Sequence, residues 1–302
     1  MAELPLGLSR RRFLSAAGVT AGAVLLGACG GDDDKTAADD DDTDVTQPTS
    51  ELVLAQFFGG PLFAAGAPLR APFGIADSEG LLTVAKTPKE VEITVLSPDG
   101  EQVGDPITIQ RHAAGLERAY FPLEITVDEP GIYSVRAELG GAAGSEMALE
   151  VNSAADLVVI QPGAALPSID TPTIDDARGV TPICTAEPAC PLHDVTLAQA
   201  LTEGKPIALL VATPAFCQVT ICGPVLDVLL DARAAHPAVR YLHMEVYADP
   251  KTDLDHYAPG LGELGLHLEP ALVLVGSDGK VVERLDAIYD ADELNEKLGR
   301  LA

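Results

Sequence analysis

Two hydrophobic rhythms divide the chain. From 52 to 152, short runs of strand length follow one another between turn signals, and no stretch there carries a helical period. The runs at 81–85, 91–95, 107–109, 119–125, 131–138 and 147–151 are predicted strands. Ser97-Pro98-Asp99-Gly100 joins two of them with turn chemistry, since proline presets φ and glycine accepts positive φ. This half reads as an antiparallel sandwich. Four prolines, Pro162, Pro167, Pro172 and Pro182, then mark a linker over 153–182. Beyond it the rhythm changes. A short helix is predicted over 195–201, capped by Asp194 or Thr196. The unbroken apolar run 206–212 has the pattern of a strand buried on both faces. Val225, Val228, Leu229 and Ala232 fall at helical spacing and predict a helix over 225–235, followed by a strand over 239–246. Strands at 271–275 and 281–285 are joined by Gly276-Ser277-Asp278-Gly279, a hairpin signal. An amphipathic helix over 291–301, with Asp290 as N-cap, closes the chain.

Composition narrows the class of partner. With 302 residues, 47% of them hydrophobic, the chain has room for two cores. Its formal charge of −27 argues against nucleic acid, whose phosphates demand a positive surface. Aromatics are only 4% and Trp is absent, so a base-stacking platform is not expected. Much of the negative charge sits in 30–51, where Asp32 to Asp34 and Asp39 to Asp42 form runs without apolar periodicity. Such a segment cannot bury enough surface to offset its ordering entropy and reads as a disordered, self-repelling tether. Binding of a divalent cation is the alternative there.

The first 29 residues resemble an exported bacterial lipoprotein signal. Ser9-Arg10-Arg11-Arg12-Phe13-Leu14 is similar to the twin-arginine export motif, with Arg10 and Arg11 as its pair. A small, apolar stretch over 16–28 follows, too short to span a bilayer comfortably. Leu26-Gly27-Ala28-Cys29 resembles a lipobox. The resemblance implies that the chain crosses the membrane folded and that Cys29 becomes a diacylated first residue. Two acyl chains suffice for stable anchoring. The expected location is the extracytoplasmic face of a bacterial cell membrane, held by a lipid anchor.

The C-terminal element order, β-α-β-(α)-β-β-α, resembles the thioredoxin superfamily, and the likeness covers roughly residue 190 onwards. Cys217 follows a buried strand, Pro224 stands where the family often kinks the next helix, and Leu268-Glu269-Pro270-Ala271 is similar to its cis-proline loop. The resemblance implies thiol–disulfide exchange on protein thiols or disulfides, without a cofactor. Cys217 would be the attacking thiolate, Cys222 its resolving partner, Pro270 would shape the groove, and Phe216 would shield the sulfur. Glu129-Pro130-Gly131-Ile132-Tyr133-Ser134-Val135 resembles the late strands of immunoglobulin-like domains. The fold expectation is therefore two-domain: a signal peptide (1–29), a tether (30–51), an all-β immunoglobulin-like sandwich (52–152), a linker (153–182) and an α/β thioredoxin-like domain (183–302).

Two features depart from the family pattern. Four residues separate Cys217 from Cys222 where two are usual, and Val211 stands where a buried aspartate is expected. In an ideal helix, Cα atoms five residues apart lie roughly 8–9 Å from each other, beyond the reach of a disulfide. A bridge therefore requires 218–221 to leave the helix, and the β-branched Val219-Thr220-Ile221 favours that. Cys217 at the helix start would feel the dipole and have its thiolate favoured.

Of the five cysteines, Cys184 and Cys190 form the other pair and read as a structural disulfide closing a proline-containing loop. Two alternatives stay open. With His193 they form a soft ligand set for zinc or copper, or one of them resolves Cys217 by exchange. His256, His267 and Glu245 are weaker candidates for assisting the redox site. As alternatives to an exchange enzyme, the chain would be a redox-inert envelope module with both pairs as staples, or a metal-delivery protein.

Overall fold

The computed structural model describes residues 52–301 apart from 140–144, 218–219 and 267. Arg10, Arg11, Cys29, the tether and His267 lie outside the described residues. The rest is mostly β-sheet, with four short α-helices among the described residues.

Nine strands build the N-terminal half: β1 (Val53–Gln56), β2 (Phe63–Ala64), β3 (Pro68–Asp77), β4 (Gly80–Leu81), β5 (Glu90–Leu96), β6 (Ile107–Gln110), β7 (Phe121–Thr126), β8 (Gly131–Ala137) and β9 (Ser145–Asn152). One sheet runs β1-β3-β4, with β7 on the other stretch of β3; the second runs β2-β9-β8-β5-β6. All pairings but the parallel β2–β9 contact are antiparallel. Phe73 and Leu123 from the first sheet meet Ile93, Val135 and Leu149 from the second in one core. The strand expected over 81–85 shrinks to its first residue, because the N–H groups of Lys86 and Thr87 turn back onto the carbonyl of Thr83. Conversely, β3 was hidden. It is buried along most of its length, so alternation is lost, and Pro72 and Gly74 interrupt its β-forming residues.

The C-terminal half follows as α1 (Leu197–Thr202), β10 (Ile207–Val211), α2 (Cys222–Ala232), β11 (Arg240–Met244), a hairpin of β12 (Tyr247–Asp249) and β13 (Asp253–Tyr257), α3 (Leu261–Leu264), β14 (Ala271–Val275), β15 (Val281–Asp286) and α4 (Ala291–Gly299). Thr196 caps α1 in a full capping box with Gln199, and Asp290 caps α4 by accepting the Glu293 N–H. The sheet order is β11-β10-β14-β15, with β10 and β11 parallel and the remaining pairs antiparallel. Every residue of β10 is buried, and its two faces serve different cores. Ile207, Leu209 and Val211 join the core that includes the N-terminal sheets, while Ala208 and Leu210 pack with Val225 and Leu229 of α2 and with Leu294 and Leu298 of α4.

One core takes side chains from both halves, and all described residues belong to one compact unit, Pro48–Ala302. The segment 153–182 is pinned along its path. Ile160 donates to the Leu264 carbonyl at 2.9 Å, Gly163 to Val281 at 2.7 Å and Thr181 to Ala248 at 2.7 Å. Gly265 is required where this segment passes: its φ is +63°, and a Cβ there would lie 2.2 Å from the Val158 carbonyl oxygen. A buried ion pair completes the joint. Arg70 of β3 grips Glu293 of α4 through Nε–Oε1 (2.5 Å) and Nη2–Oε2 (2.7 Å), and also donates to the carbonyls of Asp286 and Ile288. The Tyr120 hydroxyl donates to the same carboxylate. Burial opposes the charge on Glu293, yet Arg70 and Tyr120 hold its carboxyl below the usual range. Among the described residues no helix is long and apolar enough to cross a membrane.

Candidate functional site

Strand β10 ends at Val211, and the chain then turns through Thr213 to Phe216, whose N–H donates to the Thr213 carbonyl. This turn delivers Cys217, half-buried, beside Cys222, which is fully buried as the first residue of α2. The two sulfurs are bonded, with Cα atoms 5.9 Å apart. The helix begins at Cys222, so Cys217 lies off it, as a bridge between the two requires. Two expectations are corrected. Cys217 lies before the helix, not in its first turn, and its Sγ accepts the N–H of Cys222, the first helical residue, at 3.4 Å. Pro224 falls in the first turn, where no intrahelical N–H is lost and no kink results. Thr220 closes the loop with φ at +56°, an unfavourable conformation for a β-branched residue.

The cis-proline loop reaches the same end of the sheet, because β14 lies antiparallel beside β10 and Ala271 is in register with Val211. Glu269–Pro270 is a cis bond, as expected, and Pro270 is buried. The loop brings a residue that the pattern did not single out. Glu269 Oε2 accepts the Thr213 N–H at 2.6 Å and lies 3.6 Å from Cys222 Sγ. Burial raises the Glu269 carboxyl above its ordinary range, against hydrogen bonds from Thr213 and Tyr247. A carboxyl thus stands beside the buried sulfur. It comes from the opposite loop. Phe216 is half-buried in the turn next to Cys217.

The second pair behaves differently. Cys184 and Cys190 are free thiols, and the expected clip between them is not formed. Their loop is fastened to the edge of the sheet by the His243 N–H, which donates to the Leu192 carbonyl at 3.0 Å. Cys190 Sγ lies 3.3 Å from His193 Nε2 and 3.3 Å from His243 Nδ1; Cys184 Sγ lies 3.9 Å from the same Nδ1. All four side chains are buried. His243 Nε2 sits 3.0 Å from the Ala212 carbonyl, which fixes the proton on Nε2 and leaves Nδ1 bare towards the sulfurs. Burial pushes His243 below its ordinary value and keeps the ring neutral. A hydrogen bond with the Cys190 thiol holds Cys184 low, and the same bond pushes Cys190 up.

Thr185 links the two sites. Its Oγ1 accepts the Ala215 N–H at 3.2 Å, while its N–H meets Glu245 Oε1 at 2.7 Å. Burial pushes Glu245 up to about 8. His256 is exposed on β13 and belongs to neither cluster. His243 was also not singled out. Its signal is a buried polar residue inside Tyr241-Leu242-His243-Met244, a strand otherwise apolar. A scan against protein-family models finds no match for this chain, and a search of the curated proteins finds none.

Proposed function

We propose that the chain is a membrane-anchored extracytoplasmic protein whose C-terminal half is thioredoxin-like and performs thiol–disulfide exchange at Cys217 and Cys222. The strand order β11-β10-β14-β15 with α2 and α4 on one face supports the fold reading. One observation carries the function. A half-buried sulfur is bonded to a fully buried one, with a carboxyl of raised pKa 3.6 Å from the buried sulfur.

The arrangement supports the following steps. A client thiolate attacks the accessible Cys217 sulfur and forms a mixed disulfide, while the Cys217–Cys222 bond breaks and its electron pair leaves on Cys222. Glu269, protonated at a pH where ordinary carboxyls are not, gives its proton to that departing thiolate. The client's second thiolate then attacks the client sulfur of the mixed disulfide and releases Cys217 as a thiolate. The client dithiol is oxidised by two electrons, and the Cys217/Cys222 pair is reduced by the same two. In the reverse direction Cys217 attacks and Glu269 accepts the Cys222 proton. Protein thiols or disulfides are the partners, and Cys29 holds the chain on the membrane by its acyl groups.

Equilibration with a glutathione redox buffer tests this, read by alkylation and mass spectrometry. The proposal expects Cys217 and Cys222 to shift together between bridged and labelled forms. A bridge that stays closed across the whole buffer range overturns the exchange reading and leaves a structural staple. Replacing Cys29 by Ala should release the protein from the membrane fraction; retention would overturn the lipid anchor.

A further inference from the structure

We infer that Cys184, Cys190, His193 and His243 form a tetrahedral zinc site, distinct from the dithiol and not resting on the exchange reading. The donor set is two thiols and two imidazole nitrogens, the mixture that zinc accepts in closed structural sites. Their spacing fits one ion. Bond lengths of about 2.3 Å to sulfur and about 2.0–2.1 Å to nitrogen give tetrahedral edges of about 3.3–3.8 Å. The observed edges include 3.3, 3.3 and 3.9 Å, and all four donor atoms lie within 4.8 Å of one another.

The surroundings are those of a ligand set. The Ala212 carbonyl at 3.0 Å orients His243 with Nδ1 facing the sulfurs. The Cys190 N–H points at Cys184 Sγ from 3.3 Å, a bond that favours sulfur as thiolate. All four donors come from protein and all are buried, so no position is left open to a substrate. That separates a structural ion from a catalytic one or a delivered one. The ion would tie the loop 183–193, which has no regular secondary structure, to β11 at the edge of the sheet. The contrast with His112, Asp290 and Glu293, also close together, is instructive. There Asp290 accepts the Ala113 and Ala114 N–H groups and caps α4, and Arg70 already neutralises Glu293.

The full chain, purified without chelator, should carry one zinc per chain by elemental analysis. Cys184→Ser and His243→Gln should each reduce zinc affinity at least about tenfold, whereas His256→Asn should leave it unchanged. If these variants fail to fold, the unmodified chain still decides: cobalt(II) exchanged for zinc should give intense tetrahedral d–d bands and a thiolate-to-cobalt charge-transfer band. A weak octahedral cobalt spectrum, one equivalent of copper in place of zinc, or a Cys184–Cys190 disulfide in the exported protein would overturn the assignment.

Discussion

Two cysteine pairs of nearly equal spacing lie against the same end of one sheet and meet opposite fates. Cys217 and Cys222 are bonded; Cys184 and Cys190 are not. The difference lies in what the fold brings to each. The first pair gains a carboxyl, Glu269, and keeps one sulfur within reach of solvent. The second gains two imidazoles and is buried. A soft donor set closed on itself suits a cation, while an asymmetric pair beside a proton donor suits exchange. Cysteine spacing alone does not separate these outcomes; the partners contributed by β11 and by the loop before β14 do.

Cys217→Ser should slow exchange with a model disulfide by about a thousandfold or more, since the nucleophile is removed, as stopped-flow or insulin-reduction assays would read. Cys184→Ser should instead act on stability, lowering it by about 3 kcal/mol or more with the loss of zinc, measured by denaturant unfolding. Arg70→Met probes a third region. It strands Glu293 in the joint between the halves and should cost about 3 kcal/mol, with the alkylation pattern of both pairs unchanged.

Glu269→Gln should reduce the rate of bridge opening by about a hundredfold, the low end of general acid catalysis. The sign of its pH effect follows from the raised carboxyl. The proton donor is present below that raised value and is lost as pH rises through it, so the wild-type rate falls on that limb and the variant lacks the fall. Thr220→Gly should have the smallest effect. It relieves a left-handed β-branched residue and should stabilise the oxidised form by about 1 kcal/mol, read as a rise in Tm.

What the sequence made legible was local. Asp290 as a cap, the fully apolar β10 and the Gly276–Gly279 hairpin depend on residues near one another. The requirement that a Cys217–Cys222 bridge lie off the helix followed from helix geometry alone. The cis bond at Pro270 was legible through family resemblance. Less legible were features set by packing across the chain. Strand β3 is buried on both faces and loses its alternation, and Glu269 meets Cys222 only because β14 lies beside β10. His243 reads as one polar residue in a strand until the loop 183–193 is fastened against it. The expected disulfide between Cys184 and Cys190 failed for the same reason: proximity in sequence suggested a bond, and the imidazoles that occupy the sulfurs come partly from fifty residues away.

The most direct test is thiol mapping by mass spectrometry on the full-length protein from its native host, alkylated before and after mild reductant and, separately, before and after chelator. The account predicts that reductant alone exposes Cys217 and Cys222, and that Cys184 and Cys190 become reactive only once zinc is withdrawn. A Cys184–Cys190 disulfide opened by reductant, with a Cys217–Cys222 bridge that resists it, would contradict the account at its centre.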